Sequence, residues 1–488
     1  MVIESLKYKI LQQFGFAPTQ EQGQALDTFV SFLTDRDPQA VMILRGSAGT
    51  GKTSLSGAIV RTLLQIRQKV MLLAPTGRAA KVFSLGSGAP AYTIHRRIYR
   101  EKAFAGVDGQ FGLNDNLYTD TLFMVDEASM IANMGLGGTT FGSGCLLDDL
   151  VKFVYQGHND RLLLIGDKAQ LPPVGEEESP ALSASVMEGY GLKVYECDLN
   201  EVLRQSQSSG ILYNATLIRQ MITHDAVTGL PLIRFKGFAD IVMMPGAELV
   251  ESLGDSYHHV GMDETMVITR SNKRANIYNN GIRNMVLDRE EELSSGDMLM
   301  IVKNNYFWTE KEKKESGEES AGAVPAFLAN GDRAKVLRVS NYIELYGFRF
   351  ATLLLQLPDY DDYEMQVTGM LDTLQSEAPA LTHEQQEELF RQVEEDYQHF
   401  VPLKADRMKS IRQDAYFNAL QIKYAYAVTC HKAQGGQWAH VYVDQGYMTD
   451  DMLTPDYIHW LYTAFTRATD KLFLVNWPKE QTCEPTDL

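Results

Sequence analysis

The sequence predicts an α/β fold: parallel sheets with helices on both faces, interrupted by a small all-β insertion. Three observations carry this. Short β-branched or aliphatic runs alternate with amphipathic segments; AVMILRG (40–46), KVMLLAP (69–75), TLFMVDE (121–127) and RLLLIGD (161–167) each read as a buried strand. Each run ends in Gly, Pro or a carboxylate, and in parallel sheets ligands sit at the carboxyl ends of the strands. The alternation returns in ETMVITRS (264–271), HVYVDQ (440–445) and LFLVNW (472–477), but gives way to short strands and turns over about 297–420.

A chain of 488 residues exceeds one ordinary core and implies roughly two to four domains. Its 44% hydrophobic and 22% charged residues are those of a soluble globular protein. No apolar run approaches the ~18 residues of a membrane span. The N-terminal MVIESLKYKILQQFGF is amphipathic, without a signal-peptide core or cleavage site, which predicts a short helix and a cytoplasmic location. Four scattered cysteines with no CxxC pair argue against a disulfide framework or a zinc ribbon. The net charge of −18 argues against whole-surface attraction to nucleic acid, but the distribution is uneven. Arg61 to Lys102 holds nine Lys/Arg and one acid, whereas Asp359 to Asp396 holds twelve acids and one base.

Within 297–420, MLMIVK, RAKVLRV, YIELYGF and FATLLLQL read as strands joined by turns such as Asn330-Gly331, followed by the acidic helical stretch THEQQEELFRQVEEDYQHF. TEKEKKESGEESAG (309–322) reads as a loop. A glycine-rich insert, NMGLGGTTFGSG, occupies 133–144.

GSAGTGKT (46–53) matches GxxxxGK[ST] between a buried strand and a helix, the context that motif requires. Gly46, Gly49 and Gly51 let backbone N–H groups of the loop, with Ser47, Ala48, Thr50 and Ser54, converge on an anion at a helix N-terminus. Lys52 reaches the β/γ-phosphates and Thr53 holds Mg²⁺, so ATP and Mg²⁺ are the expected cofactors. Asp126, at a strand tip, suits Mg²⁺, and the adjacent Glu127 suits proton abstraction from an attacking water. In GDKAQLPPVG (166–175), the Gln170 amide orients water or senses phosphate without titrating.

Near the C-terminus, YAYAVTCHKAQGGQW (424–438) sets Cys430, His431 and Lys432 side by side. On an extended segment neighbours face opposite ways, so a nucleophile–base pair is disfavoured. No second Cys/His pair completes a metal site, and Cys430 reads as a packed residue.

Nine blocks occur in one order: P-T-x-x-Q (18–22), GSAGTGKT, APTGRAA (74–80), TIHRRIY (93–99), VDEAS (125–129), GDKAQLPPVG, LNEVLRQ (199–205), VTCHKAQG (428–435) and YTAFTRA (462–468). In this the chain resembles superfamily 1 DNA helicases of the 5′→3′ subclass, RecD-like or Dda-like; the segment marking the Pif-like branch is not evident. The resemblance implies two RecA-like P-loop motor domains with a small β-hairpin insertion in the first and an SH3-like β-barrel insertion in the second. It places the first motor at 1–99 and 120–205, a hairpin "pin" at 100–119, the second motor at 206–296 and 421–488, and the accessory insertion at 297–420. By motif match, Gln22 reads the adenine, Lys52, Glu127 and Gln170 are catalytic, Arg204 and Arg467 are arginine fingers, and Gly435 borders the nucleotide. For DNA the resemblance carries over Thr76, Arg78, Thr93, His95, Arg96 and Arg97 in the first motor, and Thr429, His431, Lys432 and Gln434 in the second. Phe104 and Phe111 are the candidate duplex-splitting aromatics.

The implied activity is ATP-dependent unwinding with 5′→3′ movement on single-stranded DNA, on fork or tailed duplexes. The implied setting is replication, repair or recombination, by a monomer with no membrane association and with replication or repair proteins as possible partners. The alternative is a P-loop ATPase that displaces or remodels DNA-bound proteins without efficient unwinding.

Overall fold

The computed structural model describes residues 2–105, 108–135, 142–201, 208–223, 229–316, 324–325, 327–449 and 452–483; for 2–4, 101–105, 108–110 and 316 it describes the backbone alone. Strands β1 (Ala40–Gly46), β2 (Lys69–Ala74) and β3 (Ala91–Thr93) come first, then a hairpin of β4 (Tyr99–Ala105) and β5 (Asp108–Leu113), then β6 (Thr121–Val125), β7 (Arg161–Gly166) and β8 (Lys193–Leu199). Apart from the antiparallel hairpin, these form one parallel sheet in the order β3-β2-β6-β7-β1-β8. Strands β1, β6 and β7 are buried along their whole length, which is why they read as unbroken apolar runs. Ile10, Phe29, Leu55 and Leu63 cover one face, and Ile94, Phe123, Leu150 and Phe153 the other.

A second parallel sheet holds β9 (Ile241–Met244) and β10 (Thr265–Thr269). The chain then leaves it for a closed barrel of β11 (Met298–Ile301), β12 (Arg333–Leu345), β13 (Phe348–Leu357), β14 (Tyr363–Met370) and β15 (Leu420–Tyr424). It returns through β16 (Ala427–Thr429), β17 (Trp438–Asp444) and β18 (Ala468–Val475), giving the order β16-β10-β17-β18-β9. The expected α/β fold with a barrel insertion is therefore present. One continuous apolar core runs from this sheet (Val267, Tyr442, Phe465) into the barrel (Leu299, Leu353, Ile422). The barrel and the second sheet thus share a core.

Two local expectations are corrected. The expected loop at 309–322 begins as a helix, Phe307–Ser316. Trp308, 4% exposed, anchors it by donating its indole N–H to the Asn418 carbonyl at 2.9 Å, and Asn305 caps its first turn. An anchoring tryptophan outside the charged run is invisible to a reading based on local charge. Cys430 does not lie on an extended segment either: β16 stops at Thr429 and Cys430–Ala433 is a single helical turn. The Cys430 thiol is buried against the Trp460 carbonyl and its pKa is pushed up to about 12 by burial, as a packed residue requires.

The last residues of the glycine-rich insert lie beside the hairpin. Gly142 N–H donates to the Phe111 carbonyl at 2.8 Å, and Ser143 N–H to Asp149 at 3.0 Å.

At the start of β12, Asp332 accepts from Ala329 N–H and the Tyr360 hydroxyl, yet burial pushes its pKa up to about 7. Its folded pKa lies above the unfolded value of about 3.9, so protonation favours the folded state. The destabilisation by this carboxylate is therefore present in full above about pH 7 and is relieved as pH falls toward about 4. Asp332→Asn is expected to raise the thermal midpoint relative to wild type more at pH 8 than at pH 5.5. Equal differences at the two pH values would remove Asp332 as the source.

Candidate functional site

The P-loop connects β1 to the helix Lys52–Gln65. Gly51 caps that helix at φ +82, a left-handed conformation that disfavours side chains. Lys52 Nζ donates to the Gly46 and Ser47 carbonyls. Gln22 lies behind the loop at 1% exposure: its Nε2 donates to the Thr50 carbonyl at 2.9 Å, and its Oε1 accepts from Thr19 N–H in a capping box. In this position it braces the loop and closes the helix Gln20–Thr34 at once.

A cavity of about 440 Å³ opens over the loop, lined from the first sheet by Lys52, Thr53, Ser54, Asp126, Glu127 and Gln170. Its other wall includes Gly435, Thr466 and Arg467. Burial first, and the charge of Glu127 second, hold the Asp126 carboxyl well above its ordinary range. Two adjacent carboxylates in a buried cleft are the arrangement that a nearby divalent cation relieves, so Thr53 and Asp126 fit Mg²⁺ with Glu127 beside them. Glu127 stands at φ +52, a left-handed backbone that costs a non-glycine residue on the order of 1–3 kcal/mol. The cost is met where the carboxylate must face the cavity.

The two sheets meet across this cavity. With its amide turned to satisfy both neighbours, Gln170 donates to Glu127 Oε2 and accepts from Arg467 Nη2, at 3.2 Å each. Arg467 is 2% exposed and also donates to the Thr463 and Gly436 carbonyls, each at 3.1 Å. Gln434 Nε2 donates to the Leu171 carbonyl at 2.7 Å. Gly435 closes the gap: a Cβ there would stand 3.0 Å from Ala79 Cβ and 3.1 Å from Thr76 Oγ1.

Several cross-cleft groups were not singled out from the sequence. The Tyr462 hydroxyl donates to Asp167 at 2.6 Å and accepts from Ala48 N–H of the P-loop at 3.0 Å. Thr463 accepts from Leu171 N–H at 2.8 Å. Arg219, on the helix Gly210–Thr223, donates to Ser47 Oγ at 3.2 Å. Tyr462 and Thr463 lie inside the YTAFTRA block, but a tyrosine on an apolar helix reads as core. Arg219 carries no local signal. The second expected finger, Arg204, lies outside the described residues.

The candidate DNA contacts fall into two groups. Thr76 and Thr93 cap short helices, accepting from Ala79 N–H and Arg96 N–H. Arg78 donates to the Gln437 carbonyl at 2.8 Å and lies over the Trp438 ring. Arg96 and Arg97 stack on Tyr92, with guanidinium carbons 5.0 and 3.8 Å from the ring centroid, and His95 packs on Tyr99. From the second sheet, His431 is exposed and Thr429 ends β16. Lys432 Nζ is buried without a hydrogen-bond partner, and burial with the nearby Lys423 lowers its pKa to about 8. An anion would satisfy that ammonium.

On the hairpin, Phe111 packs on Tyr306 with centroids 4.6 Å apart, and Tyr306 stacks on Phe327 at 4.7 Å. The Phe104 backbone pairs with Gly109 in β4–β5, and its side chain lies outside the described set.

A family model described as an AAA domain matches residues 17–229, and one described as a UvrD-like helicase C-terminal domain matches 424–475. The ATP-dependent RecD2 DNA helicase of Deinococcus radiodurans is 30% identical over 157 residues, covering 32% of this chain and 18% of that protein. Over that third the chain is similar to a RecD-like DNA helicase, of whose length it spans less than a fifth. An uncharacterized protein of Methanocaldococcus jannaschii is 33% identical over 168 residues, again 32% of this chain but 13% of its own length. An uncharacterized protein of Acanthamoeba polyphaga mimivirus is 21% identical over 507 residues, 90% of this chain and 96% of that one. The Pif1 helicase from Bacteroides in complex with ADP-AlF3 and ssDNA is a similar solved structure at 13% identity, 96% and 95% coverage and a TM-score of 0.45. No helix among the described residues is long and apolar enough to cross a membrane.

Proposed function

We propose that this chain is an ATP-dependent DNA helicase that moves 5′→3′ along single-stranded DNA and unwinds duplex DNA by ATP hydrolysis. The observation that carries the reading is the Glu127–Gln170–Arg467 chain, which joins the two sheets through the groups that face the nucleotide cavity. Such a link makes hydrolysis on one side legible to the other.

The first motor is read as 1–99 with 120–205, the pin as 100–119, the second motor as 206–296 with 421–488, and the accessory unit as 297–420. ATP with Mg²⁺ supplies a phosphoanhydride poised for cleavage by water. Lys52 and the P-loop N–H groups of Gly46 to Ser54 hold the phosphates, Thr53 and Asp126 hold the metal, and Glu127 takes the proton of the attacking water. Gln170 fixes Glu127 against Arg467, and Arg467 from the second motor faces charge that develops on transfer. Arg204 is kept as the second finger by its motif setting, and Gln22 is assigned to the adenine side of the loop it braces.

The strand is assigned a path over Thr76, Arg78, Thr93, His95, Arg96 and Arg97 of the first motor and Thr429, His431, Lys432 and Gln434 of the second. Four of these ten are Lys or Arg and three are threonines, a make-up that suits backbone contacts rather than base readout. Opening and closing of the cleft moves the two halves of the path relative to each other, and alternating grip turns each cycle into a step. The setting proposed is a cytoplasmic monomer acting on tailed or forked DNA in replication, repair or recombination.

Phe104 and Phe111 are proposed as pin aromatics. The contact of Phe111 with Tyr306 braces the hairpin against the segment that links β11 to β12, which suits a wedge that must resist the duplex. A base stacked on an aromatic side chain is worth about 1–3 kcal/mol. Phe111→Ala is therefore expected to slow unwinding of a 5′-tailed duplex about tenfold or more, with single-strand-stimulated ATP hydrolysis within twofold of wild type. Unimpaired unwinding would favour the protein-displacing ATPase instead.

A further inference from the structure

The stretch of twelve acids that begins at Asp359 places its first residues on the helix Gly77–Ser87, which carries Arg78 and Lys81. The barrel turn Pro358–Asp362, between β13 and β14, makes the contact. Asp359 Oδ1 lies 3.5 Å from Arg78 Nη1 and 3.8 Å from Lys81 Nζ, and Lys81 also donates to the Pro358 carbonyl. Beside it the Tyr360 hydroxyl donates to Asp332 at 2.6 Å, and Asp332 fills the space over Gly77 where a Cβ would stand.

This contact is charged and poorly satisfied. The Asp359 side chain is 1% exposed, yet neither carboxylate oxygen has a hydrogen-bond partner. Asp332 Oδ1, Arg78 Nε and Arg333 Nε are likewise buried without one. A buried carboxylate held only by long ion pairs keeps most of its desolvation penalty. Each partner is better satisfied apart: the carboxylates by water, and the two cations by phosphate oxygens.

Its position matters as much as its weakness. Arg78 touches the second motor through the Gln437 carbonyl and Trp438, and the barrel through Asp359. Next to the turn lies a cavity of about 300 Å³, lined by Lys81, Thr93 and Arg96 on one side and by Phe327 and Tyr360 on the other. Cations facing aromatics are the make-up of a single-strand track.

We infer that the Pro358–Asp362 turn is an intramolecular stand-in for nucleic-acid phosphate, which closes the barrel over Arg78 and Lys81 until a single strand displaces it. The inference rests on the reading of the chain as a DNA motor, since it takes Arg78 as a strand contact. Because the barrel shares a core with the second motor, displacement of the turn removes one of the contacts that tie that motor to the first.

The test is binding of a fluorescent oligo-dT to the full chain, wild type and Asp359→Asn, across a salt series. A competing turn lowers apparent affinity by the fraction of molecules in which it is open. Asp359→Asn is expected to bind about 3–10-fold more tightly at low salt. The log–log salt slope is expected to steepen by about 0.7 for each cation freed, because cations already paired with Asp359 release fewer counterions. Unchanged or weaker binding with an unchanged slope would overturn the inference. Amide exchange of the wild type gives a readout that does not depend on the variant folding. Added oligo-dT is expected to speed exchange at 359–362 and slow it over 77–87, whereas protection of the turn would overturn the inference. Wild type that binds no single strand defeats the motor reading itself, whereas binding without these differences defeats the turn alone.

Discussion

Arg467→Ala is expected to lower ATP turnover at saturating DNA by about 10³–10⁵-fold, the range for an arginine that meets charge developing on a transferred phosphoryl group. The guanidinium lines the nucleotide cavity and reaches Gln170 at 3.2 Å, but it also donates to the Thr463 and Gly436 carbonyls. A structural arginine with those bonds is a competing explanation, and the two differ in what they move. Loss of an anchor lowers the thermal midpoint and weakens nucleotide binding along with turnover. Loss of a finger lowers kcat while the Kd for ATP changes little. Arg467→Lys sharpens the distinction: lysine keeps the charge but lacks the planar fork, so turnover is expected to remain poor even where stability returns. A lysine variant near wild-type turnover would assign Arg467 to the fold.

Glu127→Gln is expected to cost about 10²–10⁴-fold in turnover, the usual contribution of a positioned general base. Glutamine is nearly isosteric and accepts the same hydrogen bond from Gln170, so nucleotide and strand binding are expected to persist. The variant also removes one of two adjacent carboxylates. Burial and the Glu127 charge together raise the Asp126 pKa, so the substitution relieves part of that shift. Mg²⁺-dependent ATP binding is then expected to extend to lower pH in Glu127→Gln than in wild type, while turnover stays low throughout. A variant with more than a tenth of wild-type turnover would take Glu127 out of the base role.

Much of this arrangement was legible in the chain because its signals are local. The P-loop needs a strand, a glycine-rich turn and a lysine in fixed order, and β1 followed by Gly51 and Lys52 satisfies that within a dozen residues. The strands β6 and β7 end just before Asp126 and a few residues before Gln170, so their buried runs also pointed to the carboxylate and the amide that line the cavity. Closure of the barrel was less visible, since pairing of β11 with β15 joins residues more than a hundred positions apart. The same limit hid Tyr462, whose hydroxyl reaches Asp167 and Ala48 across the cleft, and Arg219, which meets Ser47 from a helix with no motif. Asp359 shows the limit most plainly. A run of acids reads as a solvated face, and only the fold reveals that its first member is buried against Arg78.

Hydrolysis in the cleft is proposed to drive directed motion along one strand. ATP-driven unwinding of two partial duplexes, one with a 5′ tail and one with a 3′ tail, tests it most directly, with Lys52→Ala as the control that removes turnover. ATP-dependent strand separation is expected from the 5′-tailed substrate alone, and none with Lys52→Ala. Separation from the 3′ tail alone, or ATP hydrolysis that single-stranded DNA does not stimulate, would contradict it.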